Sequence, residues 1–178
     1  MDLVGEKVIL KKFVDEDIKE YHDWYTKSIE WQKWDAPWIK REFNMDSIIK
    51  KRKANNLRNQ IMTFEIYTVS NEHIGWVNAY YIDDKYIPTD TETEKIAIGL
   101  DIPNEEYREQ GNGTEALNLF ITYFKNNNIR NIYIQTWSGN LRMIKVAEKL
   151  GFIELNRYKE KRMVNNKKYD ALTYVRSI

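Results

Sequence analysis

The stretch 96–150 constrains the fold most, because the spacing of its hydrophobic residues changes along the sequence. Apolar residues occupy every second position over 96–102, which is the period of a β-strand with one buried face. They recur at helical spacing over 116–124 and again over 143–150, with a short apolar stretch at 132–134 between the two. This order of strand, helix, strand, helix predicts a mixed α/β domain in which helices cover a twisted sheet.

The rest of the chain adds strands and two less regular helices. An opening strand at 6–13 precedes a helix for which Asp15 is the predicted N-cap. Polar turn residues separate two further pairs of strands, so hairpins are predicted on both sides of the central stretch. The remaining predicted elements are a helix at 46–55, strands at 61–69 and 73–81, and two long strands that meet at Asn165 and Asn166.

Composition and charge restrict the class of protein. The length of 178 residues suits one domain, so a single domain spanning 1–178 is predicted. The 28 basic and 27 acidic side chains leave a formal charge of +1, which gives no global electrostatic reason to bind nucleic acid or an anionic membrane. The absence of cysteine excludes disulfides and thiolate sites, and two separate histidines disfavour a metal site. No stretch of about 20 apolar residues is present, so a cytoplasmic protein is expected.

A glycine-containing loop connects the strand at 96–102 to the helix predicted to begin near Thr114. Gly111 and Gly113 let consecutive backbone amides turn into one concavity, and the helix N-terminus adds partial positive charge there. A pyrophosphate fits such a loop, and Arg108 can add a full charge. A turn that merely requires small residues is the alternative. The endings of Walker loops and the three spaced glycines of dinucleotide folds are both absent.

Two motifs resemble those of one acyltransferase superfamily. The first is the spacing of Arg108, Gly111 and Gly113, and the second combines Asn140 with the sequence Glu-Lys-Leu-Gly-Phe at 148–152. Together they resemble the acetyl-CoA signatures of the GNAT superfamily of N-acetyltransferases. The similarity extends over most of the chain and is strongest to the branch with ribosomal-protein alanine and spermidine acetyltransferases. It implies a mixed, mostly antiparallel sheet of about seven strands, flanked by about four helices.

The resemblance also implies where acetyl-CoA binds, without a metal ion. The strands of the family splay apart at the centre of the sheet, and the pantetheine arm pairs with free backbone groups in the gap. The residues implied in cofactor binding are Leu100, Ile102, Arg108, Glu109, Gln110, Gly111, Asn112, Gly113, Thr114 and Asn140. Asn140 has the alternative role of capping its helix, and Gly151 that of ending it.

Catalysis by such an enzyme requires a neutral amine near the thioester carbonyl, so a base must remove a proton from the acceptor. Glu94, at the start of the central strand, is the candidate base, and Asp101 is the second candidate. Ala147 and Met143 occupy the two positions where relatives place a general acid. The remaining candidates for protonating the leaving thiolate are Tyr107, Tyr133 and solvent. Because no general acid occupies the usual positions, a catalytically weak acyl-CoA sensor is the alternative function.

Two further features of the sequence bear on the chemical class of the acceptor. Nine acidic groups lie between residues 83 and 109 against three basic ones, which favours a small cationic amine or a protein N-terminus if they face the acceptor. A solvated acidic loop is the alternative. The tryptophans Trp24, Trp31, Trp34 and Trp38 are divided between core packing and an aromatic lining for a cationic amine.

A basic C-terminal hairpin supports a third hypothesis, a protein associated with the ribosome or with RNA. The six cations over 157–168 outnumber a single acidic residue, Glu160, although exposed hairpins often carry such charge for solubility. We therefore expect nucleic-acid contact to be unlikely. The oligomeric state is left open, with a homodimer among the alternatives.

Overall fold

A nine-stranded sheet runs through the protein, which a computed structural model describes over residues 1–178. Strands β1 and β5 are only two residues long, so the prediction of about seven strands is confirmed for the longer ones. The strands are β1 (Leu3–Val4), β2 (Val8–Lys11), β3 (Thr63–Thr68), β4 (His73–Ile82), β5 (Pro88–Thr89), β6 (Ile96–Asp101), β7 (Asn131–Trp137), β8 (Ile153–Val164) and β9 (Lys167–Ser177).

The strands follow the order β1-β2-β3-β4-β6-β7-β9-β8, and β5 pairs with β4. Every neighbouring pair is antiparallel except β6 and β7, which are parallel. A parallel pair requires a crossover, and the helix at Asn112–Asn126 supplies it. The mixed, mostly antiparallel sheet is therefore confirmed.

Four α-helices flank the sheet, as predicted: α1 (Ile18–Thr26), α2 (Met45–Asn56), α3 (Asn112–Asn126) and α4 (Leu141–Lys149). The prediction of Asp15 as the N-cap of the first helix is wrong, because a short 3₁₀ turn at Asp15–Asp17 precedes α1. The carboxylate of Asp17 accepts from Val14 N at 2.9 Å, and Asp15 instead pairs with Lys53. Further 3₁₀ turns lie at Ile29–Lys33 and Glu105–Tyr107.

The main core lies between the sheet and one face of α3. Ala116, Leu117, Phe120 and Phe124 are fully buried there, at the helical spacing that the sequence shows. Burial of each large apolar side chain contributes about 1.5–3 kcal/mol relative to exposure. This packing fixes α3 against β6 and so fixes the loop at its N-terminus.

The parallel strands β6 and β7 separate along their length. They pair only from Ile96 opposite Ile132 to Ile98 opposite Ile134. Beyond that point β6 stays paired with β4 as far as Asp101, while β7 stays paired with β9. The strands are thus held apart by their outer neighbours, and a wedge opens in the middle of the sheet.

The second, smaller core is aromatic and belongs to the N-terminal helices. It contains Phe13, Tyr21, Trp24, Trp31 and Trp76, each less than a tenth exposed. Their rings meet mainly in edge-to-face or tilted contacts, which aromatic pairs favour. This core holds the chain after α1 beside the open wedge.

None of the helices is both long enough and apolar enough to span a lipid bilayer.

Candidate active site

A cavity of about 950 Å³ occupies the wedge between β6 and β7. The ends of these strands, the N-terminus of α3, one face of α4 and the segment after α1 form its walls. A volume of this size matches the range of small-molecule sites. A second pocket, beside β1 and the C-terminal half of α3, has a smaller volume of about 570 Å³.

The N-terminus of α3 presents a row of free backbone amides to this cavity. The amides of residues 110–114 donate to no other protein group, whereas Glu115 N donates to Gly111 O at 3.0 Å. Gly111 has a φ of 88°, in the left-handed region that favours glycine, and it turns the chain into the helix. Free amides at a helix N-terminus are the arrangement that binds phosphate oxygens.

Contacts behind the loop fix its shape. Lys7 Nζ donates to Gln110 O at 2.7 Å, and Asn112 Nδ2 donates to Tyr107 O at 2.9 Å. A Cβ atom added to Gly113 would lie 2.8 Å from Leu100 Cδ1, so the backbone and β6 are as close as glycine allows. The loop is therefore a preformed concavity rather than a loose connection.

The guanidinium of Arg108 is held by the protein itself. Its Nε donates to Ile102 O at 2.7 Å, its Nη2 to Pro103 O at 2.5 Å and its Nη1 to Glu30 at 2.5 Å. Arg108 lines the cavity but in this arrangement has carbonyl and carboxylate partners in place of a phosphate. The arrangement does not support the expected phosphate pairing, and it makes Arg108 a clamp on the end of β6.

Asn140 caps α4, as the alternative prediction proposed. Its Oδ1 accepts from Met143 N at 3.1 Å, and its Nδ2 donates to Trp34 O at 3.0 Å. Trp137 Nε1 donates to the same carbonyl at 2.8 Å. The N-terminal segment is thereby attached to the β7 side of the wedge.

Residues 29–35, which we call the strap, cross the wedge from one wall to the other. Glu30 contacts Arg108 on the β6 side, and Trp34 contacts Asn140 and Trp137 on the β7 side. Trp34 Nε1 also donates to Glu30 Oε1 at 2.5 Å, which joins the two anchors. The strap therefore divides the wedge into an α3–α4 side and a side that faces α1 and α2.

The comparisons with known proteins agree with this geometry. A sequence model described as the acetyltransferase (GNAT) domain matches residues 7–153. The chain belongs to the GNAT acetyltransferase family. No curated protein matches the sequence.

Solved structures of GNAT enzymes share the whole fold at low sequence identity. An acetyltransferase from Salmonella typhimurium, which modifies the N-terminal serine of ribosomal protein L7/L12, is 18% identical over 100% of this chain and 99% of its own, with a TM-score of 0.75. The spermidine N-acetyltransferase from Vibrio cholerae, in complex with CoA and spermine, is 16% identical over 97% and 96%, with a TM-score of 0.76. The microcin C7 self-immunity acetyltransferase MccE, in complex with acetyl-CoA and AMP, is 17% identical over 98% and 94%, with a TM-score of 0.74.

Most of the GNAT cofactor residues expected from the sequence lie together. The cavity wall includes Leu100, Ile102, Arg108, Glu109, Gly111, Gly113, Thr114 and Asn140. Gln110 and Asn112 do not line the cavity, although their backbone amides are also free of protein acceptors. The structure thus brings the first motif and Asn140 of the second motif to one cavity, whereas residues 148–152 lie outside its lining.

Of the two candidate bases, only Asp101 lies in the cavity. Glu94 is exposed, lies before the first residue of β6 and is seven residues from Asp101, roughly 20 Å along an extended chain. The structure therefore does not support Glu94 as the base. Burial raises the pKa of Asp101 well above its usual range, and the nearby charge of Asp35 raises it further.

Asp35 and two arginines set the charge around Asp101. Burial raises the pKa of Asp35, while its ion pair with Arg41, at 2.5 Å, lowers it. Asp35 is 49% exposed and lines the cavity. Arg41 and Arg52 are both largely buried and favour the ionised form of Asp101. Asp101 is thus a carboxylate in a partly desolvated site with cations nearby. The sequence alone made it only the second candidate for the base, after Glu94.

A buried polar network holds Arg52 at the cavity wall. Arg52 Nη2 donates to Tyr21 Oη at 2.5 Å, and Tyr21 Oη donates to Glu65 Oε2 at 2.8 Å. Glu65 is completely buried and also contacts His73 Nε2 at 3.1 Å. No motif in the sequence predicts this network, because its members are spread over four elements that meet only in the fold.

The acidic segment between residues 83 and 109 lies mostly elsewhere. Only Asp101 and Glu109 among its nine acidic groups line the cavity. Asp84 pairs with Lys95, and Asp83 accepts from Lys85 N and Ile87 N within its own turn. The alternative of a solvated loop is therefore confirmed for most of the segment, and the cavity as a whole is lined by six basic and three acidic side chains.

The tryptophans divide as expected between packing and lining. Trp24 is 2% exposed and packs against Trp76 and His73 outside the cavity. Trp34 and Trp38 are partly exposed and line the cavity, while Trp31 is buried and forms part of its wall. Lining rings of this kind can pack on an acceptor.

The suggested proton donors are not at the site. Tyr107 and Tyr133 do not line the cavity. Tyr107 Oη donates to Glu72 at 3.3 Å, and Tyr133 packs with Ile82 and Ala97 in a separate cluster. The tyrosines of the cavity are Tyr25 and Tyr80 instead.

Proposed function

We propose that this GNAT protein is an acetyl-CoA-dependent N-acetyltransferase that transfers an acetyl group to a primary amine by direct attack on the thioester. The observation that carries the proposal is the row of free amides at residues 110–114, which opens into the cavity leading to Asp101. The free amides at the N-terminus of α3 and the carboxylate of Asp101 thus lie along the same wedge between β6 and β7.

The residues present fit the cofactor. The free amides and the positive end of α3 suit a diphosphate, and the absent side chain of Gly113 leaves room for close approach. Arg142 and Lys145 on α4 line the same cavity and carry no carboxylate partner within 4 Å. When bound, acetyl-CoA supplies the thioester whose acetyl group is transferred.

The wedge can guide the cofactor arm toward the carboxylate. Beyond Ile98 the edge of β6 that faces β7 has no strand partner, so its backbone groups are open to a ligand with amide groups. Leu100 lies on this stretch, whereas the carbonyl of Ile102 already accepts from Arg108 Nε. We infer that the arm pairs with β6 before Ile102 and that free amides of β6 stabilise the oxyanion.

Asp101 is the residue that we assign as the base. An amine with a pKa near roughly 10 is mostly protonated at neutral pH, so a proton must leave before attack. A carboxylate with a raised pKa holds that proton better than an ordinary one, because its pKa is closer to that of the amine. Asp101 thus accepts the amine proton while Asp35 and the aromatic walls position the acceptor.

Two GNAT neighbours support an amine as the acceptor. One modifies a protein N-terminal serine, and another is a spermidine N-acetyltransferase in complex with spermine. Both proteins are less than 20% identical in sequence to this chain, so they support the reaction class and do not specify the acceptor.

The proposal is tested by incubating the protein with acetyl-CoA and a panel of amines and N-terminal peptides while free thiol is measured. Thiol release that depends on the amine, and that Asp101→Asn lowers by 100-fold or more at about neutral pH, is expected. Tight acetyl-CoA binding without thiol release from any acceptor would indicate an acyl-CoA sensor and overturn the enzyme proposal. The matched control is Glu94→Gln, which removes an exposed carboxylate outside the cavity.

A further inference from the structure

Three cations of the cavity, Arg142, Lys145 and Arg162, have no ion-pair partner, and Arg162 is the one of these that lies outside α4. Arg41, Arg52 and Arg108 each lie within 4.0 Å of a carboxylate. Arg162 lines the same cavity and has neither an ion-pair partner nor a hydrogen-bond acceptor in the protein. Its guanidinium lies over the ring of Trp38, with the carbon 4.5 Å from the ring centre.

An irregularity in the hairpin β8–β9 accompanies this placement. The strand register shifts between Tyr158 and Arg162, and Glu160 within the bulge has a φ of 52°. Glu160 N donates to Asp170 Oδ1 at 2.9 Å, which holds the bulge. A bulge re-aims the side chains that follow it, and here the basic hairpin contributes Arg162 to the cavity while its neighbour Lys161 is exposed to solvent.

Arg162 is set apart from the carboxylates of the cavity. It belongs to β8, whereas Asp101 is the last residue of β6, and β7 and β9 lie between these two strands in the sheet. Arg41, and not Arg162, forms the ion pair with Asp35. The cavity therefore contains an unpaired guanidinium, held over the ring of Trp38, apart from its carboxylates.

We propose that the acceptor amine also carries an anionic oxygen group, a carboxylate or a phosphate, and that Arg162 binds that group. The proposal rests on the acetyl-transfer function above and specifies its substrate class. The planar guanidinium forms two parallel hydrogen bonds to either group, and Trp38 holds it in place. The same positive charge opposes the second ammonium group of a diamine or polyamine.

The experiment uses three series of linear acceptors of equal length, each with about four to eight methylene groups between the reactive amine and the terminal group. One series ends in carboxylate, one in phosphate and one in a second amine. Binding to the CoA-saturated protein is measured by calorimetry, and thiol release from acetyl-CoA is measured separately. The first two series distinguish the two anionic groups, and the diamines report the cost of a second positive charge.

Three variants test whether Arg162 causes the preference for anionic acceptors. Arg162→Gln should weaken binding of the anionic acceptors by roughly 10- to 100-fold and leave the diamines unchanged or improved. Arg162→Lys should restore part of the loss, because it keeps the charge without the planar fork. Lys161→Gln makes the same change of charge on the neighbouring exposed position and should have no effect.

The outcomes separate this inference from the proposed function. Diamines that bind as well as the anionic acceptors would overturn it, and so would an Arg162→Gln variant that loses CoA affinity, since the residue would then serve the cofactor. Anion-selective binding without any thiol release would support the anion site and contradict acetyl transfer. Thiol release without a preference for anionic acceptors would support acetyl transfer and contradict the anion site.

Discussion

Arg108 Nη1 lies 2.5 Å from Glu30 Oε2, across 78 positions of sequence. This ion pair joins the strap to the glycine loop. Burial raises the pKa of Glu30, but the hydrogen bonds from Arg108 and Trp34 outweigh it and hold that pKa below its ordinary value. The pair is therefore stabilising above the unfolded pKa of Glu30 and is lost as pH falls through the folded one.

Replacement of Glu30 should release the strap. Glu30→Gln is expected to lower the free energy of unfolding by about 1–3 kcal/mol, because charged hydrogen bonds to Arg108 are lost. Hydrogen exchange of the amides at 29–35 should accelerate in parallel. Glu105→Gln is the control, since that carboxylate is 4.0 Å from Arg108 and 70% exposed. Equal effects of the two variants would show that the strap is not anchored there.

Gly113→Val should weaken acetyl-CoA binding by about 100-fold or more, because its side chain enters the space between the loop and Leu100 and blocks approach to the amides. Calorimetry with CoA measures the effect. Gly151→Asn is the matched control, because a Cβ there meets nothing within 4 Å and Asn tolerates a φ of 78°. Unaltered CoA affinity of the Gly113 variant would contradict the phosphate loop.

Asp101→Asn should lose activity and gain stability. The raised pKa of Asp101 means that its contribution to stability is present below the unfolded pKa and is lost as pH rises through the folded value. At neutral pH the uncharged amide avoids this loss, so the melting temperature should rise, by about 2–4 °C for each kcal/mol. A calorimetric scan at pH 5 and at pH 8 checks the sign, since the gain should be larger at the higher pH.

The network around His73 should make stability depend on pH in the neutral range. Burial lowers the pKa of His73, but the hydrogen bond and charge of Glu65, with the charges of Asp17 and Glu20, outweigh burial and raise it. The stabilisation is therefore complete below the unfolded pKa of about 6.5 and is lost as pH rises through the folded value.

Urea unfolding of His73→Gln between about pH 6 and pH 9 tests this coupling, and the variant should show a flatter dependence of unfolding free energy on pH. His22→Gln, an exposed histidine 53% accessible to solvent, should keep the slope of the parent protein. A parent slope that persists in His73→Gln would assign the titration to another group.

The sequence predicted the position of the glycine loop and the four helices because these depend on local signals. The period change at 96–124 and the glycines of the loop are sufficient to place β6, the turn and α3. Asn165 and Asn166, both with positive φ, likewise fall at the hairpin turn. The two-residue strands β1 and β5 carry no period and were not predicted.

The acceptor side could not be predicted in the same way. Asp35, Arg52, Asp101 and Arg162 come from four separate parts of the chain, and only the fold brings them to one cavity. Glu94 was preferred to Asp101 because an acidic residue at a strand end is visible in sequence, while desolvation by distant residues is not. The sequence does not distinguish the six cations of the C-terminal hairpin, and the structure places only Arg162 in the cavity wall.

The strap has a consequence for how such a protein can change its substrate. Its residues come from a short connection between helices. They contact the α3–α4 side of the wedge through Glu30, through the Trp34 carbonyl and through the Trp34 ring, over which Arg142 lies at 4.4 Å. We expect sequence changes elsewhere in this connection to alter the shape and charge of the proposed acceptor side while the glycine loop stays unchanged. Substrate choice and cofactor use are thus separable units of variation within one small domain.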